Sequence, residues 1–120
     1  MTAATKSLSQ IRPALDNFVQ KLLPIYGKAL RRVLVFGSYA RGEARDTSDV
    51  DVLLLLDMSE DEIRAKQHEL SHLLFMLDGC EPWLDIQPVT VPLRRFEGWR
   101  RVHPFYQNIE HEGVSIYEAA

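Results

Sequence analysis

Two short apolar runs lie in the first half of the chain, and they set its architecture. Residues 32–36 are apolar and β-rich and are stopped by Gly37, and residues 49–56 form a second run that ends at Asp57. Short runs of this kind, bounded by turn residues, predict buried strands. We therefore expect one sheet that contains both runs.

The segments around these strands have helical spacing. Apolar residues from Leu8 to Leu23 recur at steps of three and four, which predicts an amphipathic helix that Pro24 and Gly27 end or bend. A second helix is predicted after Ser59, because a capping serine followed by acids in the first turn is typical of a helix start. This helix is expected to stop near residue 79.

The second half of the chain predicts a third strand over residues 83–91, and Pro88 inside it indicates an edge strand or a bulge. A helical segment around Phe96, a short helix over residues 104–112 and a terminal strand over residues 114–117 follow. The order α-β-α-β-α-β-α-β predicts an α/β or α+β fold in which helices cover a small mixed sheet.

Size and composition limit what such a fold can do. The chain has 120 residues, of which 46% are hydrophobic and 26% charged, so we expect one globular domain over residues 1–120. The net charge of −3 makes stable nucleic-acid binding unlikely to be its role, since dedicated nucleic-acid binders are usually basic. A nucleotide remains possible, because a metal ion can neutralise phosphate locally.

The expected location is the cytoplasm. Cys80 is the only cysteine, so no intramolecular disulfide can form, which fits a reducing compartment. The first residues have no signal-peptide pattern. The longest apolar stretch, residues 52–56, is far too short to span a membrane.

Carboxylates occur where the pattern predicts burial. Asp51 lies inside the second apolar run, and Asp85 lies between Leu84 and Ile86 in the third strand. Burying a carboxylate is costly unless something cationic is supplied. Asp49 and Asp51 are two residues apart on one face of a strand, about 6.5 to 7 Å apart along the backbone, so their side chains can converge on one cation.

These acids predict a metal site for phosphate chemistry. Oxygen ligands suit Mg²⁺, with Mn²⁺ as an alternative, and Mg²⁺ takes further oxygens from substrate phosphates. If Asp85 on a neighbouring strand joins Asp49 and Asp51, three carboxylates can hold two ions, which suits in-line phosphoryl displacement.

The phosphate side is predicted just upstream. Gly37 and Ser38 follow a strand and precede a helical turn through Arg41, so backbone N–H groups there can face an anion. Glycine lets the backbone approach the phosphate closely. The Ser38 hydroxyl can add a donor and Arg41 can add charge.

The spacing of these residues resembles a known signature. Residues 37–42, GSYARG, are followed after five residues by residues 48–51, SDVD, as in the polymerase-beta-like nucleotidyltransferases. The resemblance implies that Gly37 and Ser38 bind the triphosphate, that Asp49 and Asp51 bind metal, and that Asp85 is the third acid. We add Arg41 and Ser48 to the predicted nucleotide-binding residues.

The chain as a whole is similar to the minimal nucleotidyltransferases, and residues 108–114 resemble the end of those domains. Many of them are encoded beside a helical HEPN-domain protein and act as its antitoxin. The resemblance thus implies a Mg²⁺-dependent enzyme that transfers AMP from ATP to a hydroxyl of a HEPN-type partner. Two alternatives stay open: transfer to a small molecule, and a non-catalytic antitoxin that blocks its partner by binding.

Several side chains also have plainer interpretations. Asp85 can form a salt bridge with a nearby arginine, Ser38 can be only a helix cap, and Arg41 can be a surface residue. His68 and His72 lie four apart on a helix, but no third zinc ligand is evident, which favours a solvated face. A basic patch formed by Arg94, Arg95, Arg100 and Arg101 suits either a solvated face or contact with an acidic partner or phosphate. The aromatics Trp83, Phe96 and Trp99 suit core or interface positions.

Overall fold

A computed structural model describes residues 7–45, 47–77 and 84–119. Cys80 and Trp83 lie outside these ranges. Within them the chain forms helices α1 (Leu8–Tyr26), α2 (Ser38–Arg41), α3 (Glu60–Leu77), α4 (Leu93–Trp99) and α5 (Pro104–Glu112), and strands β1 (Leu30–Phe36), β2 (Val50–Leu56), β3 (Ile86–Pro92) and β4 (Val114–Glu118). This is the element order that the sequence predicts.

Helix α1 runs further than the proline pattern indicates. Ser7 and Gln10 close a capping box at its start, and both Pro13 and Pro24 lie inside it. The helix continues past Pro24 to Tyr26 because Leu22 and Tyr26 are both buried in the core, which offsets the backbone bond that proline removes. Gly27, at φ 56°, ends the helix.

The strands form one four-stranded mixed sheet in the order β3-β2-β1-β4 within the described residues. β1 pairs antiparallel with β2 and with β4, whereas β2 and β3 run parallel. The parallel pair requires a crossover, which α3 supplies. β3 is an edge strand, as Pro88 predicted.

The two faces of the sheet bury separate apolar clusters, because side chains alternate along each strand. Val52, Leu54 and Leu56 of β2 pack on the face that α1 and α3 cover. Leu53 and Leu55 face the other way, against Phe96 of α4 and Ile109 of α5. Helices therefore cover both faces, which confirms the predicted fold class.

Helix α3 begins as predicted. The Ser59 hydroxyl accepts a hydrogen bond from the Glu62 N–H at 3.2 Å, and the Ser59 N–H donates to the Glu62 carboxylate at 3.0 Å. Hydrogen bonds from the Ser59 backbone N–H and from the Ser59 side chain to the Glu62 carboxylate lower the pKa of Glu62. Among the described helices, none has the length and apolar content needed to cross a membrane.

Candidate nucleotidyl-transfer site

The predicted metal-binding acids lie where β1, β2 and β3 meet. Asp51 is the second residue of β2 and pairs with Phe36, the last residue of β1. Alternation along β2 places Asp49 and Asp51 on the same face as Leu53, the face covered by α4 and α5. Both acids thus lie at one end of the sheet, next to the turn that follows β1.

Asp85 reaches this end of the sheet through the parallel pairing of β2 with β3. The Val50 N–H donates to the Asp85 carbonyl oxygen at 2.8 Å, which aligns the residue before β3 with the residue before β2. A side-chain hydrogen bond joins Asp49 to Asp85 and raises the pKa of Asp49; the Asp85 charge, burial and the Asp51 charge raise it further. Asp49 and Asp85 therefore form a close carboxyl pair.

Asp51 lies somewhat apart from that pair, against the turn at Gly37. A Cβ built on Gly37 would overlap Oδ2 of Asp51, so a larger residue at this position would require the carboxylate to shift. Burial raises the pKa of Asp51, and the positive charge of Arg41 partly opposes that rise. Asp51 is thus a half-buried acid whose charge is only partly compensated within the chain.

The Gly37–Ser38 turn and the acids Asp49 and Asp51 share one cavity of about 600 Å³. This volume is typical of a small-ligand site. Polar groups and a few apolar side chains line it: Phe36, Gly37, Ser38, Arg41, Thr47, Ser48, Asp49, Asp51, Phe105, Asn108, Ile109 and Glu112. Asp85 is not among them, so it lies beside the cavity rather than in it.

Gly37, and not Ser38, occupies the cap position of α2. Gly37 has φ 75° and ψ −149°, and Ser38 is the first residue of the helix. The capping role considered for Ser38 is therefore wrong, because the sharp turn needs a backbone conformation that only glycine adopts easily. Ser38 is thus inside the helix rather than at its cap, and it lines the cavity.

Comparison with known proteins fits this geometry. The model of a family described as the nucleotidyltransferase domain matches residues 15–97. The chain belongs to the nucleotidyltransferase-domain family. The matched region contains Gly37, Ser38 and all three predicted metal-binding acids, and it ends before α5 begins.

Relatives of this nucleotidyltransferase domain include protein adenylyltransferases. It is 38% identical over 76 residues to protein adenylyltransferase MntA of Thermococcus cleftensis, covering 63% of this chain and 73% of that protein. It is 36% identical over 50 residues to a candidate protein adenylyltransferase of Methanocaldococcus jannaschii, covering 42% of this chain. The chain spans about half the length of the M. jannaschii relatives. For the M. jannaschii protein just described, the aligned region covers 50% of that protein's length.

Solved structures show the same fold. A crystal structure from Sulfolobus solfataricus, described as a candidate nucleotidyltransferase, has a TM-score of 0.58 at 18% identity, covering 92% of this chain and 82% of that one. A toxin–antitoxin crystal structure with AMP-PNP has a TM-score of 0.50 at 19% identity, covering 87% of this chain and 73% of that one. At these identities the likeness concerns the fold alone.

Arg41 and Ser48 also line the cavity of this nucleotidyltransferase domain, and both have partners. Arg41 is exposed and forms ion pairs with Glu43 at 3.4 Å and with Glu112 at 3.8 Å. The Ser48 hydroxyl accepts a hydrogen bond from the Arg45 N–H at 2.8 Å, which closes the loop before β2. A phosphate that approached Arg41 would compete with two carboxylates.

The donor chemistry of the three aspartates suits a hard cation, although they do not converge as a set of three. In the described ranges no group of three His, Cys, Asp or Glu side chains is arranged to hold a metal ion. Carboxylate oxygens are ligands that hard cations prefer, and a cation beside Asp49 and Asp85 would offset the negative charge of Asp85 that helps to raise the pKa of Asp49. The residues therefore fit metal binding by the Asp49–Asp85 pair with Asp51 nearby.

Several residues of the site escaped the sequence reasoning. Gln87 donates from Nε2 to Oδ1 of Asp85 at 2.6 Å, and its position two residues after Asp85 on a strand was an available signal. Phe105, Asn108 and Glu112 bring one face of α5 to the cavity. Their spacing of three and four residues was visible, but nothing local to α5 indicates that this face meets β1.

The remaining candidates lie elsewhere. His68 and His72 line a larger, apolar cavity of about 800 Å³ between α1 and α3, which contains none of the predicted site residues. Arg95 pairs with Glu60, and Arg100 pairs with Glu110 at 3.6 Å, so at least half of the predicted arginine patch is engaged in ion pairs. Phe96 is buried in the core, whereas Trp99 is 53% exposed.

Proposed function

We propose that this chain transfers AMP from ATP to a hydroxyl of a HEPN-type partner protein and thereby acts as its antitoxin. One observation supports the proposal above the others: the Gly37–Ser38 turn and the carboxylates of Asp49 and Asp51 line a single cavity. Homology to the protein adenylyltransferase MntA supports the choice of AMP and of a protein acceptor. The cytoplasmic location stays a prediction.

The proposed reaction is an in-line displacement at the α-phosphorus of ATP. The acceptor oxygen forms a bond to this phosphorus, the bond to the β-phosphate oxygen breaks, and pyrophosphate leaves. We assign Asp85 to the acceptor proton, because Asp85 adjoins Asp49 from outside the nucleotide cavity and thus from the side that an acceptor would approach. Backbone N–H groups at Gly37 and Ser38 hold the triphosphate.

Asp49, Asp51 and Asp85 are the residues that would hold Mg²⁺ or Mn²⁺. Such an ion offsets the negative charge that gathers on the phosphate oxygens during transfer. Without a cation, three acids beside a triphosphate repel it.

A protein acceptor fits the amount of surface that the fold leaves available. The cavity is of a size to be filled by the nucleotide, and holding a second reactant within attack distance requires further contacts. A docked protein supplies both the hydroxyl and those contacts. For a small-molecule acceptor, an oligomer would have to complete the pocket.

The test is co-expression with the protein encoded by the neighbouring gene, followed by incubation with ATP and Mg²⁺ and mass spectrometry of both chains. We expect one or more AMP additions on the neighbour, and none with Asp49→Asn. An unmodified neighbour that both wild type and Asp49→Asn neutralise equally would instead establish a steric antitoxin. AMP transfer to a metabolite without any protein complex would establish the small-molecule alternative.

A further inference from the structure

The N-terminal half of α5 presents an aromatic ring and a free amide to the cavity. Phe105 and Asn108 are three residues apart, so they lie on the same face of the helix, and both line the cavity with Ser38 and Asp51. Phe105 is 38% exposed. In the described part of the chain, the Asn108 amide has no hydrogen-bond partner. This pairing of groups suits a flat, polar-edged ligand.

The ring of Phe105 is held in place without being covered. The Phe105 ring packs edge to face against Phe36, with 5.7 Å between the ring centroids. It also contacts Tyr106, with 5.5 Å between the centroids and 61° between the ring planes. Neither neighbour stacks parallel on it, so a planar ligand can do so. Aromatic rings in this state are typical stacking platforms for nucleobases.

The cavity-facing side of α5 contacts the segment around the Gly37–Ser38 turn at two points, the first being Phe105 against Phe36, the residue before Gly37. Glu112, seven residues on and on the same face, pairs with Arg41 beside the Gly37–Ser38 turn. The helix rise separates Phe105 from Glu112 by about 10 Å. A triphosphate bound by the Gly37–Ser38 turn and Arg41 therefore leaves Phe105 and Asn108, which line the same cavity, as the aromatic and amide groups available to the base.

We propose that Phe105 and Asn108 form the nucleobase subsite and that Asn108 selects adenine. An asparagine amide offers one donor and one acceptor, which match N7 and the N6 amino group of adenine. Guanine presents two acceptors at the same edge and matches poorly. This inference rests on the proposed function for the identity of the ligand class, a nucleoside triphosphate.

The test compares the binding of ATP, GTP and inorganic tripolyphosphate by calorimetry, with Mg²⁺ present throughout. We expect Phe105→Leu to weaken ATP binding about tenfold, because stacking on an aromatic ring is lost, and to leave tripolyphosphate binding unchanged. Phe105→Tyr keeps the ring and should keep ATP affinity. Phe75→Leu, at a 76% exposed aromatic on α3, is the matched control and should change nothing.

The second arm tests the amide. Asn108→Ala should reduce the preference for ATP over GTP about tenfold, with tripolyphosphate binding unaffected. Equal ATP affinity in wild type and Phe105→Leu, with both folded by thermal unfolding, overturns the subsite. ATP binding without any transfer to a protein overturns the proposed function and leaves the subsite standing, whereas wild type that binds tripolyphosphate as tightly as ATP overturns the subsite alone.

Discussion

The Asp51 carboxylate lies directly against the backbone of Gly37. A Cβ built on Gly37 would overlap Oδ2 of Asp51 and lie 3.2 Å from its Cγ. Gly37 also adopts φ 75° and ψ −149°, a conformation that other residues rarely take. The Gly37 turn and Asp51 are therefore in close contact: the backbone conformation favours glycine at position 37, and any larger residue would also displace the Asp51 carboxylate.

Gly37→Ala should consequently damage both the fold and the site. We expect the free energy of unfolding to fall by about 1 to 3 kcal/mol from backbone strain, with a further loss from the overlap with Asp51. ATP affinity should fall as well, because the turn must shift. Chemical denaturation and calorimetric titration with ATP measure the two effects separately.

Gly98→Ala is the matched control for that substitution. Gly98 lies within α4, where an added Cβ meets nothing within 4 Å. Alanine in a helix is favoured over glycine by about 0.5 to 1 kcal/mol, so this variant should be slightly more stable and bind ATP normally. Wild-type stability and ATP affinity in Gly37→Ala would contradict the close fit between Gly37 and Asp51.

Asp49→Asn should separate catalysis from stability. The change removes a charge from the pair that Asp49 forms with Asp85, so it relieves repulsion while it removes a proposed metal ligand. We expect AMP transfer to be abolished and metal-free thermal stability to be equal or higher. Asp57→Asn, at an exposed acid just beyond the far end of β2, should leave both unchanged. A large loss of metal-free stability in Asp49→Asn would mark this acid as a structural partner.

Local signals predicted most of the fold. The apolar runs gave β1 and β2, Pro88 indicated the edge position of β3, and the serine with its following acids indicated the start of α3. Each of these depends on residues close in sequence. α1 is the exception, because tertiary burial of Leu22 and Tyr26 carries the helix past Pro24, and burial of this kind has no local signature.

The candidate site likewise contains some residues that local sequence patterns identified and others that only tertiary contacts bring together. The spacing from Gly37 to Asp51 is a local pattern, and it identified the turn and the β2 acids as one site. The hydrogen bond from Gln87 to Asp85 and the approach of Phe105 to Phe36 depend on strand pairing and helix packing. Periodicity describes which face of α5 is apolar, but it does not say what that face will meet.

Tyr26→Phe should stabilise the protein. Tyr26 is 6% exposed, and within the described residues its hydroxyl has no hydrogen-bond partner. Removing a buried, unsatisfied hydroxyl should raise the free energy of unfolding by about 1 kcal/mol at neutral pH. Tyr117→Phe, at a half-buried tyrosine on β4, is the control and should give no comparable gain.

The same substitution should change the response to alkaline pH. Burial, and then the negative charge of Glu69, raises the pKa of Tyr26 above its ordinary value of 10.0. The folded state therefore holds the proton more tightly than the unfolded state, so stability is fully present below that ordinary value and falls as pH rises through the folded-state pKa. Denaturation curves across this range should show a smaller loss for Tyr26→Phe. An identical alkaline loss in the two proteins would contradict the burial of the hydroxyl.

Gln87 is expected to act as a positioning residue for Asp85. Its amide donates to Asp85 at 2.6 Å, and strand pairing sets Gln87 opposite Asp51. Gln87→Leu removes this donor, so the Asp85 carboxylate loses its fixed orientation while the nucleotide cavity, which Gln87 does not line, is unchanged. We expect the rate of AMP transfer at saturating ATP to fall about 10- to 100-fold, as for other residues that orient a ligand side chain, with ATP affinity preserved.

Gln67→Leu removes a similar bond, from Gln67 to Thr90 at 3.2 Å on the opposite face of β3, and should leave the rate intact. Because a merely structural role would lower thermal stability in both variants alike, an unchanged rate in Gln87→Leu, or an equal loss in the two, would refute the assignment.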